Sequence, residues 1–430
     1  MLVGLAVSIG LHEVGHLVPA KLFGVKVTQY MVGFGKTIWS NRKGETDYGV
    51  KLIPLGGYVA MTGMYPPEKP GGKARDASTG FLDNMAQDAR EASAETIAVG
   101  EEERTFYRLP MFKKIIIMLG GPLMNLVLAG VFFGIVLMGF GVQQYSTTLG
   151  SVSQCLIAAS SEQTECTAAD APAPAAAAGL QPGDRIVSIA GTEITEWQQI
   201  GEVVSAAPGQ PLVLEYERDA EVATVTLTPA MTERWLLTDQ GEVALDEAGE
   251  PLTQTVGMIG VTPTVETVTQ PITAVPQFVG NQVVAVSEVV IGLPQRMVDV
   301  WQAAFGNEDR DPNGPIGVVG VGRLAGEIVS YDEAPVAARA QFVISLLGSL
   351  NIALFVFNLI PLMPLDGGHI AGAIYEGIKR GLARLFRRPD PGPVDTAKMV
   401  PVTFAVVIVL GAMSLLLLYA DIVKPVTLFG

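Results

Sequence analysis

Four stretches of this chain are apolar for long enough to cross a bilayer, and that restricts most of what the chain can become. A hydrocarbon core about 30 Å thick takes about 20 helical residues. The stretches run from the N-terminus to about residue 22, from about 115 to 142, from about 342 to 365 and from about 400 to 419. In lipid every backbone N–H and C=O must find its partner internally, so each stretch is predicted to be a helix. Only 17% of the 430 residues are charged, against about 25% in an average soluble domain. The expected class is a multi-pass α-helical membrane protein of about four transmembrane helices, with sizeable soluble portions.

Basic residues near the span ends set the orientation. Lys21, Lys26, Lys36, Arg42, Lys43 and Lys51 follow the first span, and Arg104, Arg108, Lys113 and Lys114 precede the second. Lys379, Arg380, Arg384, Arg387, Arg388 and Lys398 lie between the third and fourth. Both connections are therefore expected in the cytoplasm, and the segment from about 143 to 341, with both termini, outside the cell membrane. The first span has no basic n-region and no small-residue cleavage site, so it is expected to stay in the mature protein. A net charge of −15 argues against nucleic acid as a partner.

The chemistry concentrates in two apolar motifs that hold all three histidines: His12-Glu13-Val14-Gly15-His16, and Leu365-Asp366-Gly367-Gly368-His369. Residues i and i+4 share a helix face, so both imidazoles of the first motif can reach one metal while Glu13 points toward the same cavity. Ionisable groups inside a span cost roughly 2.5–3.5 kcal/mol each on insertion scales, which makes a functional reading the default. In the expected topology the first and third spans cross in the same direction, with Asp366 closing the third, so the two motifs meet at one depth. A hydrolytic zinc ion typically takes three protein ligands and leaves one position for water. His12, His16 and Asp366 would supply the three. Pro361, Pro364 and the pair Gly367-Gly368 break the run around Asp366, and broken backbone at membrane depth is tolerated where it lines a wet cavity.

Taken together, His-Glu-x-x-His near one end and Asn358-x-x-Pro361…Leu365-Asp366-Gly367-Gly368 near the other resemble the site-2 protease family of intramembrane zinc metalloproteases. The bacterial members that cleave anti-sigma factors and other single-span membrane proteins are the most similar. Gly33-Phe34-Gly35 and Pro54-Leu55-Gly56-Gly57-Tyr58-Val59 are similar to that family's membrane-associated β-loop. Gly121-Pro122-Leu123-Met124-Asn125 and Gly314-Pro315-Ile316-Gly317 resemble two further elements. The resemblance implies one zinc ion on His12, His16 and Asp366, Glu13 as general base, and Asn358 as donor to the oxyanion or to the substrate backbone. An interhelical hydrogen bond is the other reading of Asn358. His369 is expected beside the site as a neighbour of the ligands or as a polar surface residue, not as a fourth ligand.

The resulting division is a first transmembrane helix over 1–24, a β-loop over 25–64, a flexible cytoplasmic insertion over 65–105 and a second span over 106–142. An extracytoplasmic domain over 143–265 follows, then an amphipathic segment over 266–338 lying on the outer face as a gate, or as a simple linker. The third span with its aspartate covers 339–370, a basic cytoplasmic loop 371–398 and the fourth span 399–422. Residues 26–32 and 48–53 are predicted strands, either a substrate-pairing edge or an ordinary hairpin. The outer domain carries Gly179-Leu180-Gln181-Pro182-Gly183-Asp184 ahead of a strand and resembles a bacterial PDZ domain, a peptide-binding module or a purely structural β-domain. Its Cys155 and Cys166 are the only cysteines; outside the cell they can pair as a disulfide or stay separate. Two other readings of the whole chain remain. A metal transporter would need more polar residues along the spans than Asn125, Asn351 and Asn358, and a silent PDZ scaffold would have lost Glu13 or Asp366.

Overall fold

All four predicted spans are helical in a computed structural model of the chain. It describes every residue except 67–80, 99, 160, 162, 164, 168–169, 239–242, 247–249, 307–309, 312–313, 332–333 and 427–430. There are two units: Met1–Phe140 with Gln270–Gly430, and Gly141–Thr269.

The first unit starts with α1 (Leu2–Leu22), which leads into the long strands β1 (Val27–Lys43) and β2 (Thr46–Met61). Both strands bend, β1 where Gly33 and Gly35 take positive φ and β2 at Gly56. Left-handed backbone of this kind carries almost no penalty for glycine alone. The bends let the inner part of β1 pair on both sides: Tyr30 opposes Val59 and also Tyr48. The two ribbons thus form a small sheet, in which residues 57–61 pair with β1 on one side only.

Within the segment expected to be a flexible insertion, residues 67–80 lie outside the described ones, and the structure corrects the remainder. Phe81–Glu95 is a helix, α2. Among its described side chains Ala86, Arg90 and Ser93 are buried, spaced i, i+4, i+7, and Arg90 binds Asp395 at 2.6 Å. Two of these three are polar, so they give no apolar periodicity to read from the sequence.

Next comes α3 (Met111–Ile135), extended by one π-turn to Phe140. It packs against α1 backbone to backbone. A Cβ on Gly15 would lie 2.2 Å from the Gly120 carbonyl oxygen, and one on Gly120 would lie 2.0 Å from that of Gly15. Small residues at a crossing let helices approach this closely, and in lipid such contact is the main source of association.

The second unit holds β3 (Val142–Val152), α4 (Pro174–Ala177), β4 (Arg185–Ile189), β5 (Thr192–Glu193), α5 (Trp197–Ser205), β6 (Leu212–Arg218), β7 (Glu221–Leu227), β8 (Ala230–Trp235), β9 (Thr253–Met258) and β10 (Val261–Val268). Its main sheet has the order β10-β3-β4-β6-β7, with β5 on β4, and β8 pairs with β9 apart from it. Leu149, Ile186, Ile189, Ile200, Val204 and Leu214 form the core. Asp184, almost fully buried, accepts from the Gln181 N–H at 2.8 Å and from Arg218 at 2.6 and 2.7 Å. Cys155 and Cys166 are bonded to each other.

Back in the first unit, α6 (Ala274–Ile291), α7 (Leu293–Phe305) and α8 (Val318–Ser330) precede α9 (Val336–Asn358), α10 (Asp366–Leu385) and α11 (Val400–Val423). Among the described residues five helices are long and apolar enough to cross a membrane: α1, α3, α6, α9 and α11. The addition to the four expected is α6, which carries Glu288 as its sole charge. The region around Asp366 also differs from expectation. The third span ends at Asn358, and Asp366 opens a new helix instead of closing the old one. Pro361 and Pro364 lack the N–H needed to continue α9. The segment between folds back onto the first turn of α10, where a Cβ on Gly367 would lie 2.3 Å from the Ile360 oxygen and one on Gly368 2.6 Å from the Met363 nitrogen. The supposed basic loop is accordingly helical as far as Leu385. Lys114, read above as a topological charge, is buried on α3 and paired at 2.7 Å with buried Glu376 of α10.

Candidate metal centre

Three helices converge on the histidine motif of α1. His12 and His16 are one turn apart, and their Nε2 atoms face each other at 3.2 Å. Asp366, the first residue of α10, brings its Oδ2 to 3.5 Å from His12 Nε2 and 3.3 Å from His16 Nε2. Ligand atoms held about 2.0–2.1 Å from a tetrahedral zinc lie roughly 3.3 Å from one another. The three separations match the edges of that tetrahedron, with one corner left. Asp366 Oδ2 is moreover buried and accepts no hydrogen bond, a costly state for a carboxylate oxygen unless a cation satisfies it. On both counts the residues fit a zinc ion.

α3 forms the floor. A Cβ on Gly121 would lie 2.2 Å from His16 Nε2 and 2.8 Å from His12 Cε1, so only glycine leaves the two rings room there. His16 Nδ1 donates to the Ile117 carbonyl at 2.8 Å. A carbonyl can only accept, so Nδ1 of His16 carries the proton and its Nε2 presents a lone pair to the centre.

Glu13 is buried and interacts electrostatically with His12, His16 and Asp366. β2 runs against it: a Cβ on Gly57 would sit 2.9 Å from Glu13 Cγ and 3.2 Å from Oε1. The Tyr30 hydroxyl donates to the Gly10 carbonyl at 2.8 Å and ties the sheet to α1 just ahead of the motif. The sheet's one-sided strand, residues 57–61, therefore begins beside the glutamate.

The structure brings His12, Glu13, His16 and Asp366 together. It does not do so for every candidate. Asn358 is the half-buried last residue of α9, and among the described residues no hydrogen bond ties it to the metal set. His369 lies one turn along α10, edge-on to the Phe106 ring at 6.5 Å between centroids, and is not among the clustered ligand atoms. Cys155 and Cys166 belong to the second unit. Gly121 and Ile117 had no place in the sequence reading of the site. Gly121 falls in the Gly-Pro-x-x-Asn element, but nothing in one chain's sequence says which helix that element faces.

In the second unit a cavity of about 670 Å³ lies between α5 and β9. Ile200, Val204, Val256, Met258 and Val261 line it.

Comparison with known proteins adds the family. A family model described as Peptidase family M50 matches residues 1–386. Zinc metalloprotease Rip1 of Mycobacterium tuberculosis is 32% identical, over 98% of this chain and 96% of its own. Zinc metalloprotease Rip1 of Mycolicibacterium smegmatis is 33% identical over the same shares. Metalloprotease MmpA of Caulobacter vibrioides is 28% identical over 89% of this chain and 87% of its own.

Proposed function

This chain belongs to peptidase family M50, the site-2 protease family, and is a zinc metalloprotease; from that premise we propose that it cuts single-span membrane proteins, anti-sigma factors among them, within the bilayer. The observation that carries the reading is the set of three ligand atoms, 3.2–3.5 Å apart, drawn from opposite ends of the chain. His12, His16 and Asp366 would hold the zinc, which when bound lowers the pKa of a water and polarises the scissile carbonyl. Glu13, buried among the same residues, would take the proton of the attacking water and pass it to the leaving amine. Asn358, at the end of α9, would donate to the developing oxyanion or to the substrate backbone.

A helical substrate hides its carbonyls in its own hydrogen bonds, so it has to be held extended. The free side of residues 57–61 is suited to that task, since an added strand would run past Glu13. We read the second unit as one extracytoplasmic PDZ domain, supported by its helix-flanked sheet and by the apolar cavity between α5 and β9. An extended peptide or chain end is the ligand that such a groove takes.

The test is a Glu13→Ala chain beside the wild type, each co-expressed with a single-span reporter and also purified for metal analysis. Cleavage should vanish while about one zinc per chain remains. Unchanged cleavage would remove Glu13 as the base.

A further inference from the structure

Asn125 is completely buried on α3, two turns from Ile117 on the same face. The two helices run antiparallel, so His16 meets Ile117 and His12 meets Asn125. The Asn125 Nδ2 lies 3.0 Å from His12 Nδ1, while its Oδ1 is buried and without a partner. That arrangement is internally incomplete. If Nδ2 donates to Nδ1, the proton of neutral His12 sits on Nε2, the atom that faces His16 and Asp366, and no lone pair is offered to a metal there. The Asn125 oxygen then stays buried without a partner, at a cost comparable to a lost hydrogen bond.

Turning the carboxamide by 180° about its last bond gives Oδ1 a donor and frees His12 Nε2, while Nδ2 takes the oxygen's former place. Oδ1 accepts from His12 Nδ1–H, its burial is compensated, and His12 Nε2 becomes a lone pair directed at the same point as His16 Nε2. Two facing lone pairs 3.2 Å apart repel unless a cation lies between them, so amide orientation and metal occupancy are linked.

We infer that Asn125 is a positioning residue for the metal centre, its side-chain oxygen fixing His12 in the tautomer that leaves Nε2 free for zinc, as the Ile117 carbonyl does for His16. The inference rests on His12 being a zinc ligand, as proposed above. One helix, α3, thereby orients both imidazoles and excludes side-chain bulk at Gly121 between them. Such partners of ligating histidines are commonly worth 10–100-fold in metal affinity.

Full-length wild type, Asn125→Leu and Asn125→Asp are compared in detergent for zinc affinity by competition with a chromophoric chelator, and for the visible spectrum of the cobalt-substituted protein. Leucine keeps approximate size and cannot accept, and zinc should bind 10–100-fold more weakly. Aspartate accepts at the same place, so affinity should stay at or above the wild-type level, with a four-coordinate cobalt spectrum. Wild-type affinity in Asn125→Leu, or equal losses in both variants, overturns the inference and leaves Asn125 as an interhelical packing residue. Should the leucine chain fail to melt cooperatively, Asn125→Ala takes its place against the aspartate variant. If the wild type itself binds no zinc, or His12→Ala binds it as tightly, the ligand assignment fails instead, an outcome separate from any difference among the Asn125 variants.

Discussion

Replacing Gly121 by alanine puts a methyl carbon where the metal-facing edge of His16 now lies. The added carbon would be 2.2 Å from His16 Nε2 and 2.8 Å from His12 Cε1, and ordinary contact begins near 3.4 Å. The His16 ring must then retreat by about 1.2 Å, several times the roughly 0.2 Å by which zinc–ligand distances vary. It cannot simply swing aside, because its Nδ1 is held at 2.8 Å by Ile117, and α3 cannot back away without opening the Gly15–Gly120 contact. Zinc affinity should fall by at least 10–100-fold, the usual cost of disturbing a ligand's support. Turnover of whatever remains loaded should drop about 100-fold or more, as misplacement by 1 Å commonly does. The assay pairs chelator competition with cleavage of a single-span reporter by the purified chain. Gly130→Ala is the control, since a Cβ there meets nothing within 4 Å on the same helix. Normal zinc affinity and normal turnover in Gly121→Ala would refute the idea that α3 floors the metal site.

Two further predictions concern stability. Burial pushes the Asp184 carboxyl up, but Arg218 and the Gln181 N–H outweigh this and hold it below the usual carboxylate range. A depressed native value stabilises above the unfolded pKa of about 3.9 and is lost as pH falls below it. Amide protection of Ile186 and Leu214 should therefore decline as pH drops below about 4, and Arg218→Leu should start lower and flatten that decline; an unaltered profile would discount the pair. Lys114→Met leaves Glu376 buried with Arg380 at 3.3 Å and the Val394 N–H at 3.2 Å, and should cost about 3 kcal/mol, whereas Lys114→Met with Glu376→Leu should recover most of it. Thermal melting in detergent checks this, and a double variant no more stable than the single one would contradict it.

The parts of the fold that could be read from the chain alone are those whose cause is local. The apolar run of α1, the strands around residues 26–32 and 48–53, and β4 each follow from composition within a few residues. What could not be read depends on partners. α2 buries Arg90 because Asp395 lies 305 positions away to receive it, and no local pattern announces that. Asp366 was expected to end a helix; the prolines before it were visible, but the return of the chain onto Gly367 and Gly368 was not. The metal set was legible because helical spacing places His12 beside His16, and a matching acid in the second motif completes it. Its floor was not, since the roles of Gly121 and Ile117 exist only once α3 is laid against α1.

The origin of the metal set at opposite ends of the chain also carries a consequence in time. His12 and His16 are synthesised about 350 residues before Asp366. At translation rates of 5–20 residues per second this interval is roughly 18–70 s. Throughout it the growing chain has the His-Glu-x-x-His motif but not Asp366, the third ligand under the proposed assignment. Under that assignment an unfinished chain is unarmed while its own later spans pass through the membrane. Activity would then begin only once α10 docks, long after the first motif is made.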